Sequence, residues 1–147
     1  MDEPDERLEL LIGARLYLAH RYARAATNRA LRAHRIDLRH FGVLGRLAEA
    51  GPLTQSALVD ELQMDKSSMV YVLDELERQN LVNRRRDDQD RRRYAVHLTA
   101  EGRTRLADAS RTAAETMTKL LDPLSQADQR RLHTLLGRFI AHAAQGA

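Results

Sequence analysis

Apolar residues recur every three or four positions through most of the chain, which is the spacing of helices with one buried face. The first helix predicted in this way runs from residue 8 to about residue 32. Further apolar side chains lie off its main stripe, so we expect it to be buried on two sides, one of them against a second subunit. Asp37 is placed to cap a second helix, which Gly51 and Pro52 end.

Two shorter helices follow, separated by a turn at Gln63 and Met64. Thr54 is placed to cap the first of them and Asp65 the second, which ends near Asn80. Asparagine suits the left-handed position that closes a helix. Two helices joined by a short turn are the pattern of a helix-turn-helix. The buried stripe that we expect on the second of these helices consists of Val70, Leu73 and Leu76.

A β-hairpin is predicted next, from residues 81–86 and 94–98. In its second segment, the side chains at 94, 96 and 98 alternate with those at 95 and 97, which is typical of a half-buried strand. The residues between the two segments are all polar, as expected for an exposed turn.

The chain ends in two further amphipathic helices. Thr99 is placed to cap the fifth helix, and Pro123 lies just past its end. Ser125 and Asp128 resemble a capping box at the start of the sixth. We expect the first, fifth and sixth helices to form a bundle that joins two subunits. The apolar stripe of the sixth helix consists of Leu132, Leu135, Leu136, Phe139, Ile140 and Ala143.

These elements predict a mainly α protein with a small β-hairpin wing, that is, a winged helix-turn-helix plus a helical dimerisation region. Residues 37–99 form the winged part, and residues 1–36 and 100–147 form the dimerisation region. The chain has 147 residues, of which 43% are hydrophobic, and this is enough for one core. We therefore expect residues 1–147 to be a single folding unit.

The fourth helix is asymmetric in charge along its length. Its later turns carry Asp74, Glu75 and Glu77, which would repel phosphates, so only its first two turns can enter a DNA groove. Recognition helices dock in this way, with their first turns against base edges. The alternative is a surface helix with ordinary polar residues. The candidates for DNA contact on this helix are Lys66, Ser67, Ser68, Met69 and Tyr71.

Six arginines flank the turn of the hairpin, at residues 84–86 and 91–93, with three aspartates among them. Arginine on a narrow loop suits the minor groove, where negative potential is focused, and a nearby aspartate can orient it. The alternative is a solvated charged turn that keeps the sheet edge from aggregating. The wing residues that we expect at the DNA are Arg86, Asp90, Arg91 and Arg92.

Composition excludes several classes of function. The chain has no cysteine, which excludes disulfides, thiolate metal sites and cysteine catalysis. Its six histidines form no close cluster in the sequence, so we expect no metal site and no cofactor. No glycine-rich phosphate loop or nucleophile elbow is present, so we expect no enzyme. No apolar run is long enough to cross a bilayer and residues 1–9 are acidic, so we expect a cytoplasmic protein without a membrane partner.

The wing and its flanks carry a resemblance to a known family. In residues 87–102, the sequence Asp90-Arg91-Arg92 is followed by a strand ending in Leu98-Thr99 and then by Gly102. This resembles the wing signature of the MarR family of winged helix-turn-helix transcriptional regulators. The similarity extends from about residue 8 to residue 143, with further matches at 53–55, 65–70, 73–77 and 81–84. Two features depart from the family. Asn80 stands where glycine is usual, and the chain lacks the cysteine that the oxidant-sensing branch of the family requires.

The resemblance implies a two-fold dimer joined by its terminal helices, a recognition helix at residues 65–80, and wings that reach the minor groove. By motif position, Asp90 and Arg92 would be the ion pair and the minor-groove reader of the wing. Family members commonly repress operons, and many release DNA on binding small aromatic acids. The first and second helices flank the effector crevice of the family, and the residues here that would line it are Tyr17, His20, Arg21 and His40.

The sequence thus predicts a sequence-specific repressor of double-stranded DNA, released from its operator by a small ligand such as an aromatic acid. A homodimer of this kind should recognise an inverted repeat whose half-sites are about 10 to 10.5 base pairs apart. A winged-helix module that binds protein instead of DNA and a metal-responsive regulator remain alternatives.

Overall fold

The structure is a computed structural model that describes residues 5–146, with side chains from residue 7 onward. Residues 1–4 and 147, which the sequence assigns to the dimerisation region, lie outside the described residues. A single 3-10 turn at Arg32–His34 follows the first helix. The remaining elements are α1 (Asp5–Leu31), α2 (Leu38–Ala50), α3 (Gln55–Leu62), α4 (Lys66–Arg78), β1 (Val82–Arg86), β2 (Tyr94–Leu98), α5 (Ala100–Leu120) and α6 (Gln126–Gln145).

The predicted mainly α fold with a β-hairpin wing is confirmed, and so are its predicted helix caps. Each cap side chain accepts a hydrogen bond from a backbone N–H in the first turn of its helix, which satisfies a group that the helix itself leaves unpaired. The main difference lies at the start of α1, which begins at Asp5 rather than at residue 8. The five capping residues are Asp37, Thr54, Asp65, Thr99 and Ser125.

Helix α4 closes with Asn80 in the left-handed conformation, at φ 60°. The Asn80 N–H donates to the Glu77 carbonyl and the Leu81 N–H to the Leu76 carbonyl, both at 2.9 Å. These two bonds are those of a Schellman motif. Asparagine therefore performs here the closing role that glycine usually has, and the chain turns directly into β1.

The core lies where α2 and α4 meet the hairpin. Leu44 and Leu47 of α2 and Leu73 and Leu76 of α4 are fully buried together with Val96 of β2. The buried face of α4 is not the predicted one. It consists of Met69, Val72, Leu73 and Leu76.

Strand β2 is more deeply buried than predicted. It pairs antiparallel with β1, from Val82 opposite Leu98 to Arg86 opposite Tyr94. Its other edge carries a short bridge in which Leu53 and Val96 exchange both backbone hydrogen bonds. Because β2 is thus the central strand and both of its faces are covered, residues 95, 96 and 97 are all buried, and the predicted alternation does not hold.

The terminal helices expose apolar side chains. Helix α1 packs against α5 through part of its surface, yet Leu10, Tyr17 and Tyr22 on it are well exposed. All 20 residues of α6 are described and none is buried, although the helix has a distinct apolar face. None of the helices in residues 5–146 combines the length and the apolar content that crossing a bilayer requires.

Candidate nucleic-acid interface

The N-terminal half of α4 is presented to solvent. Lys66 and Ser67 are exposed in its first turn, directly after the Asp65 cap. The opposite side of the helix is held in the core, which fixes its orientation. A helix N-terminus favours nearby negative charge because its first N–H groups point outward. This end of α4 is therefore suited to lie near phosphates.

Ser68 belongs to the cap of this helix. Its backbone N–H donates to Asp65 Oδ1 at 2.8 Å, and its hydroxyl donates to Asp65 Oδ2 at 2.7 Å. The backbone hydrogen bond is the largest of the contacts that lower the pKa of the Asp65 carboxyl. The Ser68 oxygen can still accept a hydrogen bond, but its proton is committed to Asp65.

The prediction that Met69 contacts DNA is wrong. Its side chain is fully buried in the core, whereas that of Val70, predicted to point inward, is 37% exposed. The two residues exchange roles because the buried face of α4 is set by contact with α2, α3 and the hairpin. Val70 is therefore the apolar residue that α4 presents beside Ser67.

Tyr71 is 53% exposed and belongs to a small polar cluster. The Arg39 guanidinium lies over its ring, 5.8 Å from the centroid. Hydrogen bonding with the Glu75 carboxylate raises the pKa of the Tyr71 phenol, and the same contact lowers the pKa of Glu75, with His40 adding to the effect. Reasoning from the sequence missed Arg39, because no local pattern connects it to α4.

Acidic residues in the later turns of α4 are paired with the hairpin. Arg84 Nε lies 2.8 Å from Glu77 Oε2, and its Nη2 pairs with Asp74. Arg84 is thus committed within the protomer. It partly offsets the negative charge of this part of α4, which would otherwise repel phosphates more strongly.

At the tip of the wing, Asp90 holds Arg92. Arg92 Nε and Nη2 donate to the two carboxylate oxygens of Asp90 at 3.1 and 3.3 Å. These hydrogen bonds are the main reason that the pKa of Asp90 is lowered. The Arg92 side chain is still 92% exposed. Its guanidinium therefore projects from the tip in an orientation set by the aspartate.

The other wing arginines are less available. Arg93 Nε pairs with Asp87 Oδ2 at 2.7 Å. Arg86 donates to the Arg91 carbonyl at 2.6 Å, and its guanidinium lies 5.2 Å from the Tyr94 ring centroid. These contacts stiffen the loop, while the Arg91 and Arg92 side chains remain exposed.

Three of the four residues predicted to line an effector crevice lie together, and His40 does not join them. Tyr17, His20 and Arg21 line a shallow groove on α1 of about 400 Å³. His40 borders a different cavity and is buried, with Nδ1 accepting from the Asp37 N–H at 3.0 Å and Nε2 paired with Glu75. Both ring nitrogens of His40 are thus engaged within the protomer.

The side chains that could ligate a metal are dispersed. Between residues 5 and 146, no group of three or more histidine, aspartate or glutamate side chains is placed to hold a metal ion.

The chain is similar in sequence to known transcriptional regulators. A family model described as the MarR family matches residues 36–93. The chain is 30% identical over 129 residues to the HTH-type transcriptional regulator MgrA of Staphylococcus aureus, covering 85% of this chain and 84% of that protein. It is 35% identical over 99 residues to a putative transcriptional regulatory protein for the hcr operon of Thauera aromatica; that alignment covers 67% of this chain and spans 60% of that protein.

A solved structure extends the similarity to the fold. CouR from Rhodococcus jostii RHA1, bound to p-coumaroyl-CoA, superposes with a TM-score of 0.74 at 27% identity. The superposition covers 85% of this chain and 88% of CouR. At this coverage the similarity extends beyond residues 37–99 into the helices that flank the winged part.

Proposed function

Because this chain belongs to the MarR family of transcriptional regulators, we propose that it is a homodimeric repressor that binds an inverted-repeat operator in double-stranded DNA. The observation that carries the proposal is the exposed N-terminal half of α4 together with a wing whose tip carries the exposed Arg92. In this role the protein regulates transcription and catalyses no reaction. It would act in the cytoplasm, where the DNA is.

The two parts of this surface have different roles in the proposal. Ser67, Val70 and Tyr71 read base edges in the major groove, while Lys66 contacts a flanking phosphate. Arg91 and Arg92 enter the minor groove, where charge and groove width matter more than sequence. Asp90 acts through Arg92 by holding it in position.

Dimerisation uses the helices outside the winged part, in residues 1–36 and 100–147. The exposed apolar residues of α1 and the apolar face of α6 support this proposal, because a lone protomer would leave both in water. A two-fold dimer places its two recognition helices about one helical turn apart on DNA.

We further propose that a small aromatic acid binds the protein and releases it from its operator. Support comes from CouR, whose ligand p-coumaroyl-CoA carries an aromatic ring, and from the groove on α1 in which an aromatic ring and cationic side chains adjoin. Tyr17 can stack on a ligand ring, and Arg21 can pair with its carboxylate. His20 borders the same groove.

The test begins with the operator. Genomic fragments that bind the full-length protein are captured and sequenced, and binding to the best fragment and to scrambled DNA is then measured across a salt series. We expect an inverted repeat, preference over scrambled DNA, and a loss of about a thousandfold in affinity or more between 50 and 200 mM salt. If the protein shows no affinity for DNA even at low salt, it is instead a winged-helix module that binds another protein.

A further inference from the structure

A polar cavity of about 310 Å³ lies at the base of the wing, away from the residues already assigned to DNA. Gly51 and Pro52, at the end of α2, form one wall. Leu47 of α2 and side chains from the hairpin and from the first turn of α5 form the rest. The polar and charged ones among them are Asn83, Arg85, Asp88, His97 and Arg103.

His97 borders this cavity, and its ring holds a buried hydrogen-bond donor without an acceptor. Its ring is 5% exposed, and Arg85 Nη2 lies 3.2 Å from its Nδ1. A guanidinium can only donate, so Nδ1 must accept and the neutral ring carries its hydrogen on Nε2. Nε2 is buried and has no hydrogen-bond partner among the side chains and backbone that the structure describes. A buried donor in this state costs free energy, but Nε2 is itself shielded from the cavity, so the donors open to a ligand are those of Asn83, Arg85 and Arg103.

The charge of the cavity favours an anionic acceptor. Arg85 and Arg103 bring two guanidinium groups from different elements, and Asn83 adds an amide. Asp88 is the acid among the lining residues, and its Oδ2 lies 3.7 Å from Arg85 Nη2 with both side chains more than half exposed. This contact is too long to be a strong hydrogen bond, so Arg85 can turn to another partner.

We propose that this cavity binds a phosphate group. Its guanidinium groups come from β1 and α5, and a phosphate can present oxygens to both, as it does in charge-assisted pairs with arginine. The phosphate is either one of the DNA backbone or one on a free small molecule. In either case it joins the hairpin to the start of α5, and it thereby fixes the direction in which the wing points.

The first experiment uses inorganic phosphate and the full-length protein without DNA. Phosphate replaces chloride at constant ionic strength in the millimolar range, while NMR follows the imidazole signals of His97. We expect a saturable shift of these signals. Arg103→Gln should weaken binding about tenfold, since it removes a charged donor, and Asp88→Asn should strengthen it because a competing carboxylate is removed. Arg111→Gln, two turns further along α5 and outside the cavity, is the matched control and should bind as the wild type does.

The second experiment identifies the source of the phosphate and rests on the proposed DNA binding, which the first does not. If Arg103→Gln also weakens DNA binding about tenfold relative to Arg111→Gln, the phosphate is that of the DNA backbone. If its DNA affinity is unchanged while inorganic phosphate binds, the source is a free phosphorylated molecule. The proposal is overturned if phosphate leaves the His97 signals unchanged, or if Arg103→Gln and Arg111→Gln bind phosphate equally.

Discussion

Among the glycines of the chain, Gly102 is the one at which an added Cβ would meet the closest contacts. A Cβ built on it would lie 2.1 Å from the Leu81 carbonyl oxygen and 2.6 Å from Leu98 Cδ1. The Leu98 side chain could move, but the Leu81 oxygen cannot, because it accepts the Thr99 N–H at 3.1 Å. Only glycine lets α5 begin this close to the end of α4.

We therefore predict that Gly102→Ala lowers the free energy of unfolding by about 3 kcal/mol, at the upper end for overpacking, since backbone must move. Gly45→Ala is the control: nothing lies within 4 Å of its added Cβ, and alanine should raise stability by up to about 1 kcal/mol because it favours helix. Denaturant unfolding at one fixed protomer concentration measures both. Equal stability of the two variants would contradict the account of Gly102.

The exchange of Met69 and Val70 illustrates a limit of sequence reasoning at this scale. Either residue continues a helical stripe through Leu73 and Leu76, at spacings of three or four. A shift of one residue turns the stripe by about 100°. Which of the two side chains is buried depends on the surfaces that face α4, and these surfaces are formed by residues distant in sequence.

At the scale of elements, local chemistry was enough to predict most boundaries. The capping side chains and the left-handed Asn80 act on backbone groups within a few residues, so the sequence itself records them. Contacts between elements were not predictable in this way. His40 meets Glu75 across 35 residues, and Arg39 reaches Tyr71 from another helix. Such pairs depend on how α2 crosses α4.

The wing and the recognition helix should differ in what they contribute to DNA binding. Arg92→Ala removes a cation from the wing tip, so we predict that it weakens binding to operator and to scrambled DNA alike, by about tenfold. It should also reduce the slope of log affinity against log salt by about one for each phosphate that is no longer neutralised. Ser67→Ala should instead change preference at particular operator positions, with a slope like that of the wild type.

Binding measured across a salt series on both DNAs separates these effects, and Arg111→Ala serves as the control for removal of an exposed arginine. Wild-type binding by Arg92→Ala to both DNAs would mean that the wing is only a solvated turn. A uniform decrease in affinity for Ser67→Ala would place that residue on the backbone rather than on a base.

At the scale of the whole molecule, the protomer has two regions of different character. Residues of α2, α4 and the hairpin bury one another in a continuous core. Helix α6 contributes no buried residue, and much of the apolar surface of α1 faces solvent. The sequence predicted these amphipathic helices from their periodicity. It could not show which faces a protomer covers by itself, because that depends on where the helices leave the core.

The proposed dimer makes a prediction that distinguishes these two regions. Leu135 and Phe139 are about half exposed on α6, so a glutamate at both positions should place charge in the subunit interface and dissociate it. Because α6 adds nothing to the core of the protomer, the winged part should keep its helical content. Affinity for the inverted repeat should fall to that of a single half-site.

Sedimentation velocity measures the dissociation, circular dichroism the helical content, and fluorescence anisotropy the DNA affinity. Arg138→Gln, also on α6, is the control and should remain dimeric, since removing a charge puts none into an apolar interface. If the double glutamate variant stays dimeric, another surface joins the subunits. If it becomes monomeric yet binds the inverted repeat as tightly as the wild type, dimerisation is not what positions the two recognition helices.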